Sequence, residues 1–177
     1  MVADKNLLFE IQHRYSHEVL FRFRTESLGL CVQEAGRRSV DLRDADLVGV
    51  FLDDMSHFCP NFEGADLRYA SFKRAYLRDA TFTGADLRNA DFGGADLRGA
   101  RGLFHMGTPD GWHAHAWLRD GWLSIRVGCR EFRLSEARAY WAGKDNRREV
   151  MVALDYAEAV ATIRGWALAE PTTQEAA

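Results

Sequence analysis

His113 and His115 stand two residues apart, a spacing that puts both imidazoles on one side of a strand. With His105 upstream and Cys129 on the strand expected beside theirs, they make up the chain's best set of metal donors, because neutral imidazole and thiolate are what zinc prefers. The set stops short of a site. No C-x-x-C or H-x-x-x-H spacing completes four ligands, and Cys129 falls on the apolar face of its expected strand with Leu123, Ile125 and Val127. A half-exposed polar face accounts for the two histidines more simply. Cys31, Cys59 and Cys129 are candidate nucleophiles, but none has a recognisable base near it, so buried and inert thiols are expected. The chain has no G-x-S-x-G, no Walker loop and no G-x-G-x-x-G. The expectation is therefore no catalytic residue, no metal ligand set, no cofactor and no enzyme.

The chain of 177 residues carries a formal net charge of -3, without the basic excess of a nucleic-acid binder. It has no run of eighteen apolar residues to span a membrane. Three widely spaced cysteines make no disulfide framework, and Met1 to Asn6 is polar, so a reduced, cytoplasmic chain is expected.

The elements that would position any site are dominated by a repeat. From Val40 the chain divides into fives without an insertion. The central residues are Leu42, Leu47, Leu52, His57, Phe62, Leu67, Phe72, Leu77, Phe82, Leu87, Phe92 and Leu97, and Ala stands two before each centre from Ala65 to Ala95. A five-residue period gives an α-helix no stable face and makes a flat strand alternate its faces. It suits a chain that turns a corner every five residues and points the central side chain inward. Read at a spacing of twenty, the centres form four columns. Phe occurs only in the first (Leu42, Phe62, Phe82) and third (Leu52, Phe72, Phe92), as expected of four walls in which like residues stack. His57 alone interrupts the Leu/Phe pattern and reads as a tolerated irregularity.

The stretches Ala65-Asp66-Leu67, Ala85-Asp86-Leu87 and Ala95-Asp96-Leu97 resemble the pentapeptide-repeat family, whose signature is A(D/N)LXX. The resemblance covers residues 40–99 and implies a right-handed quadrilateral β-solenoid of three coils. The expected class is thus mainly β with α: the solenoid over 40–102, a hairpin and helix cap over 1–39, an α+β cap domain over 103–169 and a tail over 170–177. In the N-terminal cap, strands of period two over Leu8–Gln12 and Val19–Arg24 precede a helix over Glu26–Ala35 that Gly36 ends. After the repeat, strands are expected over Trp112–Leu118 and Trp122–Phe132, joined at Arg119-Asp120-Gly121. Helices follow over Glu136–Trp141, capped by Ser135, and Arg148–Leu168. The run from Trp122 to Arg130, followed by a helix bearing Trp141, loosely resembles a region beside pentapeptide repeats in phage and prophage proteins of unassigned function.

On the outside of the repeat, Asp46, Asp66 and Asp86 form an acidic ladder on the second wall. The fourth wall offers Phe58, Tyr76, Arg78 and Arg98, the aromatic and arginine composition of interface hot spots, and is the expected contact surface. The first functional reading is a structural or protein-interaction module of phage or bacterial origin that docks on a protein partner or on its own copy, without binding nucleic acid or membrane directly. The second is an acidic DNA mimic regulating an enzyme such as a type II topoisomerase, as the resemblance implies for some relatives. Against it, residues 40–99 hold eleven acids and seven bases, a net of only -4. An enzyme or metal site in the C-terminal domain is the third.

Overall fold

The computed structural model describes residues 7–56, 60–119, 122–144, 147–166 and 168. His57, Phe58 and Cys59, the Asp120-Gly121 turn and the 170–177 tail lie outside the described residues. The chain divides into two compact units, Met1–Gly102 and Leu103–Ala177.

In the first unit, β1 (Leu7–His13) and β2 (Val19–Thr25) pair antiparallel, with a register shift between Ile11 and Gln12. Ile11 is the residue that the alternation buries completely. Helix α1 covers Leu28–Arg37. It starts two residues later than the Glu26 expected from sequence. Thr25 remains a buried end of β2, and the Ser27 hydroxyl accepts from the Leu30 N–H at 3.2 Å as the N-cap. Gly36 does not end the helix, which continues through it to Arg37. Beyond β2 and α1 the chain forms β3 (Ala45–Asp46), which pairs antiparallel with the end of β1 through Gln12↔Asp46 and His13↔Ala45. Gly29 of α1 lies so close to the Phe51 carbonyl that no side chain fits there.

The repeat is a β-solenoid in which one backbone operation recurs. Every described residue two places after a centre has a positive φ, from 52° at Asp44 to 73° at Gly99. The next amide donates back to the carbonyl of the centre, as in Ala65 N to Phe62 O at 3.1 Å and Ala80 N to Leu77 O at 3.1 Å. This is the pattern of a turn that needs a left-handed third residue. Tyr69 (61°) and Arg74 (55°) carry a full side chain into that region, at about 1–2 kcal/mol each. Between corners, parallel bridges join residues twenty apart: Asp46 to Asp66 to Asp86, Phe51 to Ser71 to Asp91, Asn61 to Thr81 to Arg101, and Tyr76 to Asp96.

This register places like side chains over one another. Leu42, Leu47, Leu52, Phe62, Leu67, Phe72, Leu77, Phe82, Leu87, Phe92 and Leu97 are all buried. The two Phe columns meet inside. Phe72 and Phe92 stack with centroids 4.9 Å apart and planes 3° apart, while Phe82 crosses Phe72 at 87° and 5.8 Å. Both offset-stacked and edge-on pairs satisfy the ring quadrupole.

The second unit is a meander, β4 (Leu103–Gly107), β5 (Ala114–Arg119), β6 (Trp122–Val127) and β7 (Arg130–Arg133), with every neighbour antiparallel. A 3-10 turn at Pro109–Gly111 separates β4 from β5. Sequence reading misses β4. It also takes β6 and β7 as one strand over Trp122–Phe132. Gly128 has φ 59° and opens a two-residue hairpin with Cys129, so Cys129 is exposed in a turn and does not lie on the apolar face. Helix α2 (Leu134–Trp141) begins before Ser135, and the Glu136 carboxylate accepts from the Arg133 N–H at 2.9 Å. Helix α3 (Arg148–Ile163) stops short of Leu168. Gly165 takes φ 69°, with Trp166 N donating to Ala161 O and Gly165 N to Thr162 O, a Schellman ending. Val150, Ala153, Leu154, Ala157 and Ala161 of α3 pack with Phe104, Ala116 and Ile125 of the sheet. Arg138 of α2 pairs with Asp155 and Glu158 of α3 at 2.7 and 2.5 Å.

Two substitutions separate the corner from the core. A β-carbon added at Gly84 has nothing nearer than 3.9 Å, so the cost of Gly84→Ala comes from its φ of 69° alone and should be about 1–2 kcal/mol. Phe72→Ala should cost about 3–5 kcal/mol through the cavity between stacked rings. Chemical denaturation of both variants measures this; an unchanged midpoint for Gly84→Ala would remove the corner as a constraint.

Candidate functional site

On the fourth wall, Tyr76 and Asp96 are bridged neighbours twenty residues apart, and Tyr76 is 59% exposed. Arg78 donates from Nε to Asp96 at 2.6 Å, and Arg98 grips the same carboxylate through Nε and Nη2 at 2.7 and 2.5 Å. The structure therefore brings Tyr76, Arg78 and Arg98 together around one acid. Phe58, assigned to the same surface from sequence, lies outside the described residues.

Two rungs of the acidic ladder on the second wall, Asp66 and Asp86, are neutralised in place, whereas Asp46 is followed by Val48 and accepts from its N–H. Arg68 holds Asp66 at 2.8 and 2.7 Å, and Arg88 holds Asp86 at 2.9 and 2.5 Å. Asp66 is 6% exposed and also lies 3.9 Å from Arg14, whose Nη1 donates to Gly64 O. Across neighbouring turns, Arg74 pairs with Asp54 at 2.8 and 2.6 Å, and its hydrogen bond holds that carboxyl below the usual range. Lys73 lies 3.4 Å from Asp91.

Sequence reading missed a second group of exposed apolar side chains. Phe51 is 76% exposed and Tyr69 62%, with Val48 and Leu30 also exposed. Phe51 occupies the place just before a centre, as Tyr76 does, so the same register points it outward.

In the second unit the three histidines do meet. The His105 ring centroid lies 5.8 Å from His115 and 6.2 Å from His113. His105 and His115 are paired in register across β4 and β5. His105 Nδ1 accepts from the Gly107 N–H at 3.1 Å, across the bulge of β4. Burial lowers the His105 pKa, and the neighbouring His113 lowers it further. Cys129 stays in its exposed turn, and no group of three or more His, Cys, Asp or Glu among the described residues could hold a metal ion. Cys31 is buried, and burial raises its pKa, as expected of an unreactive thiol. Beside His105 a cleft of about 700 Å³ opens between β4 and α3, lined also by Met106, Thr108, Arg148, Val152 and Tyr156.

Residues 61–100 match the family model for pentapeptide repeats, in eight copies. The chain carries pentapeptide repeats. A solved structure of a pentapeptide repeat protein, Rfr23 from the cyanobacterium Cyanothece 51142, is 32% identical over 34% of this chain, with a TM-score of 0.22. The match covers 39% of that protein, so this chain spans about two fifths of its length. Among curated proteins none matches the chain. The family model does not reach the region of Trp122 and Trp141, and neither match is described as a phage protein. In the pentapeptide repeats the Asp before a central Leu and the Arg after it form the recurring ion pair, at Asp66–Arg68, Asp86–Arg88 and Asp96–Arg98.

The histidine group makes a pH prediction. A folded-state His105 pKa below the unfolded value of about 6.5 means the unfolded chain binds more protons in that window, so stability is full above it and falls as pH drops through it. His105→Asn, which keeps an acceptor for Gly107, should flatten the fall between pH 7 and 5. Thermal melts across that range check this, and parallel pH profiles for both proteins would contradict it.

Proposed function

We propose that this chain is a non-enzymatic protein-interaction module. Pentapeptide repeats are generally structural or interaction elements, and no helix among the described residues is long and apolar enough to cross a membrane. In this reading the repeats wind as a right-handed quadrilateral tube of three coils, about 15 Å long at ~4.8 Å per coil. The turn at every fifth residue and the bridges at every twentieth support it. The β1–β2 hairpin and α1 cover the first coil, where β1 pairs with β3 and Gly29 meets Phe51. A bacterial or phage-infected cytoplasm is the proposed setting.

One observation carries the interaction reading: large aromatic side chains stand exposed on walls whose charges are already paired. Tyr76 beside the Asp96–Arg78–Arg98 group is the proposed contact for a protein partner. A solvated wall has no use for an exposed ring, whereas aromatics and arginine dominate interface energetics. The same pairing weighs against the DNA-mimic alternative, because duplex DNA presents about one uncompensated charge per 1.7 Å of axis, and here Asp54, Asp66, Asp86 and Asp96 each hold an arginine.

Tyr76→Ala with Arg78→Ala should leave the melting temperature within the roughly 0.5 kcal/mol range of surface changes and weaken partner binding or self-association by about 2 kcal/mol or more. Phe51→Ser with Tyr69→Asn is the parallel variant for the other exposed aromatics. Arg68 and Arg88 make poor controls, since each neutralises a largely buried carboxylate. Pull-down and sedimentation of both double variants decide. Binding lost only with the Phe51 and Tyr69 pair would move the contact away from the fourth wall. Inhibition of topoisomerase supercoiling by the wild type would favour mimicry instead.

A further inference from the structure

We infer that the cleft between β4 and α3 is a binding site for a small amphipathic anion, a linear or flat apolar body ending in a carboxylate. Its shape comes from α3. The helix buries Val150, Ala153, Leu154, Ala157 and Ala161, yet Val152 and Tyr156 on its other side remain 67% and 51% exposed. Both line the cleft, with Met106 and Pro109 opposite them on the β4 side. At about 700 Å³ the cleft lies within the roughly 300–1,000 Å³ range of small-molecule sites, which are mostly apolar with a few placed polar groups.

The polar end selects the ligand's charge. Arg148 and Glu149 line the cleft at the start of α3. The Glu149 carboxylate is engaged, accepting from the Asp110 N–H at 2.7 Å and pinning the 3-10 turn to the helix. The Gly107 N–H is likewise engaged by His105 Nδ1. A peptide strand adding to β4 would meet two backbone groups already engaged, the Gly107 N–H and the Leu103 carbonyl, the latter by Arg164 at 3.2 Å. The cation that lines the cleft is the Arg148 guanidinium, whose planar fork suits a carboxylate, while the Glu149 carboxylate keeps its charge but is turned to the Asp110 N–H. Arg148 and Tyr156 are eight residues apart on α3, so the cation and the apolar surface lie about 12 Å apart along the helix. That reach fits a medium-length acyl chain running from the guanidinium over Val152 to the Tyr156 ring.

The test uses the full chain and three probes matched in apolar body: decanoate, decanol and decyltrimethylammonium, each below its micelle concentration. In calorimetric titration decanoate should bind saturably, decanol at least tenfold more weakly, and the ammonium not at all. Arg148→Ala should bring decanoate down to the level of decanol without changing decanol itself. Val152→Asp should abolish both while the melting temperature stays level, because Val152 is already exposed. No saturable binding of decanoate, equal binding of all three probes, or decanoate binding unchanged in both variants would each overturn the inference.

Discussion

The backbone of the repeat must return to its starting place every twenty residues, and the rest of the solenoid follows from that register. Bridges from Asp46 to Asp66 to Asp86, and from Phe51 to Ser71 to Asp91, hold one turn of chain against the next. Once the register is fixed, an inward side chain can lie only over the one twenty residues away. Phe72 therefore stacks on Phe92, and buried Leu and Phe side chains fill the interior without helical or sheet-on-sheet packing. The corner makes the register possible. A left-handed residue every five places turns the chain through a corner, and the small alanine that follows it in most repeats leaves the neighbouring walls room to meet.

The same register organises the outside. An Asp before a central Leu and an Arg after it point to one surface, and the pair closes on itself within the wall at Asp66–Arg68, Asp86–Arg88 and Asp96–Arg98. The exposed Asp96–Arg98 pair contributes little stability, whereas the arginines on Asp66 and Asp86 satisfy largely buried carboxylates. Their larger consequence is that the wall presents little free charge despite its acidic count. What stands out from that background is the set of exposed rings of Tyr76, Phe51 and Tyr69, the contacts proposed above. Asp96, shared by Arg78 and Arg98, holds the long side chains beside Tyr76 in place, so less conformational freedom is lost on contact there.

The second unit solves a different problem. A four-stranded meander has two open edges, which invite pairing with other chains. On β4 the Arg164 guanidinium and the His105 ring occupy backbone groups, and β7 is short and mostly charged. Arg138 ties α2 to α3 through two carboxylates, which fixes the helix that lines the cleft.

Much of the first unit was written in local pattern. The five-residue period, the centres from Leu42 to Leu97, the β1–β2 alternation and the outward place of Tyr76 are all properties of side-chain type at fixed spacing, and a strict period leaves the chain few alternatives. The register points Phe51 outward just as plainly. Boundaries set by single capping contacts were not legible: the Ser27 cap starts α1 two residues after Glu26, and Gly165 ends α3 although the apolar stripe runs on to Leu168. Strand β4 is too short and too close to the repeat to show a period of its own, and Gly128 reads as part of a strand until its positive φ turns the chain. The amino-acid sequence by itself determined the repeat and which residues face inward, because both depend on neighbours a fixed number of places away. Only the tertiary structure decided that Asp66 and Asp86 of the ladder are paired, that His105, His113 and His115 converge, and that β4 and α3 leave a cleft with Arg148 at one end, because each depends on side chains whose meeting no local spacing encodes.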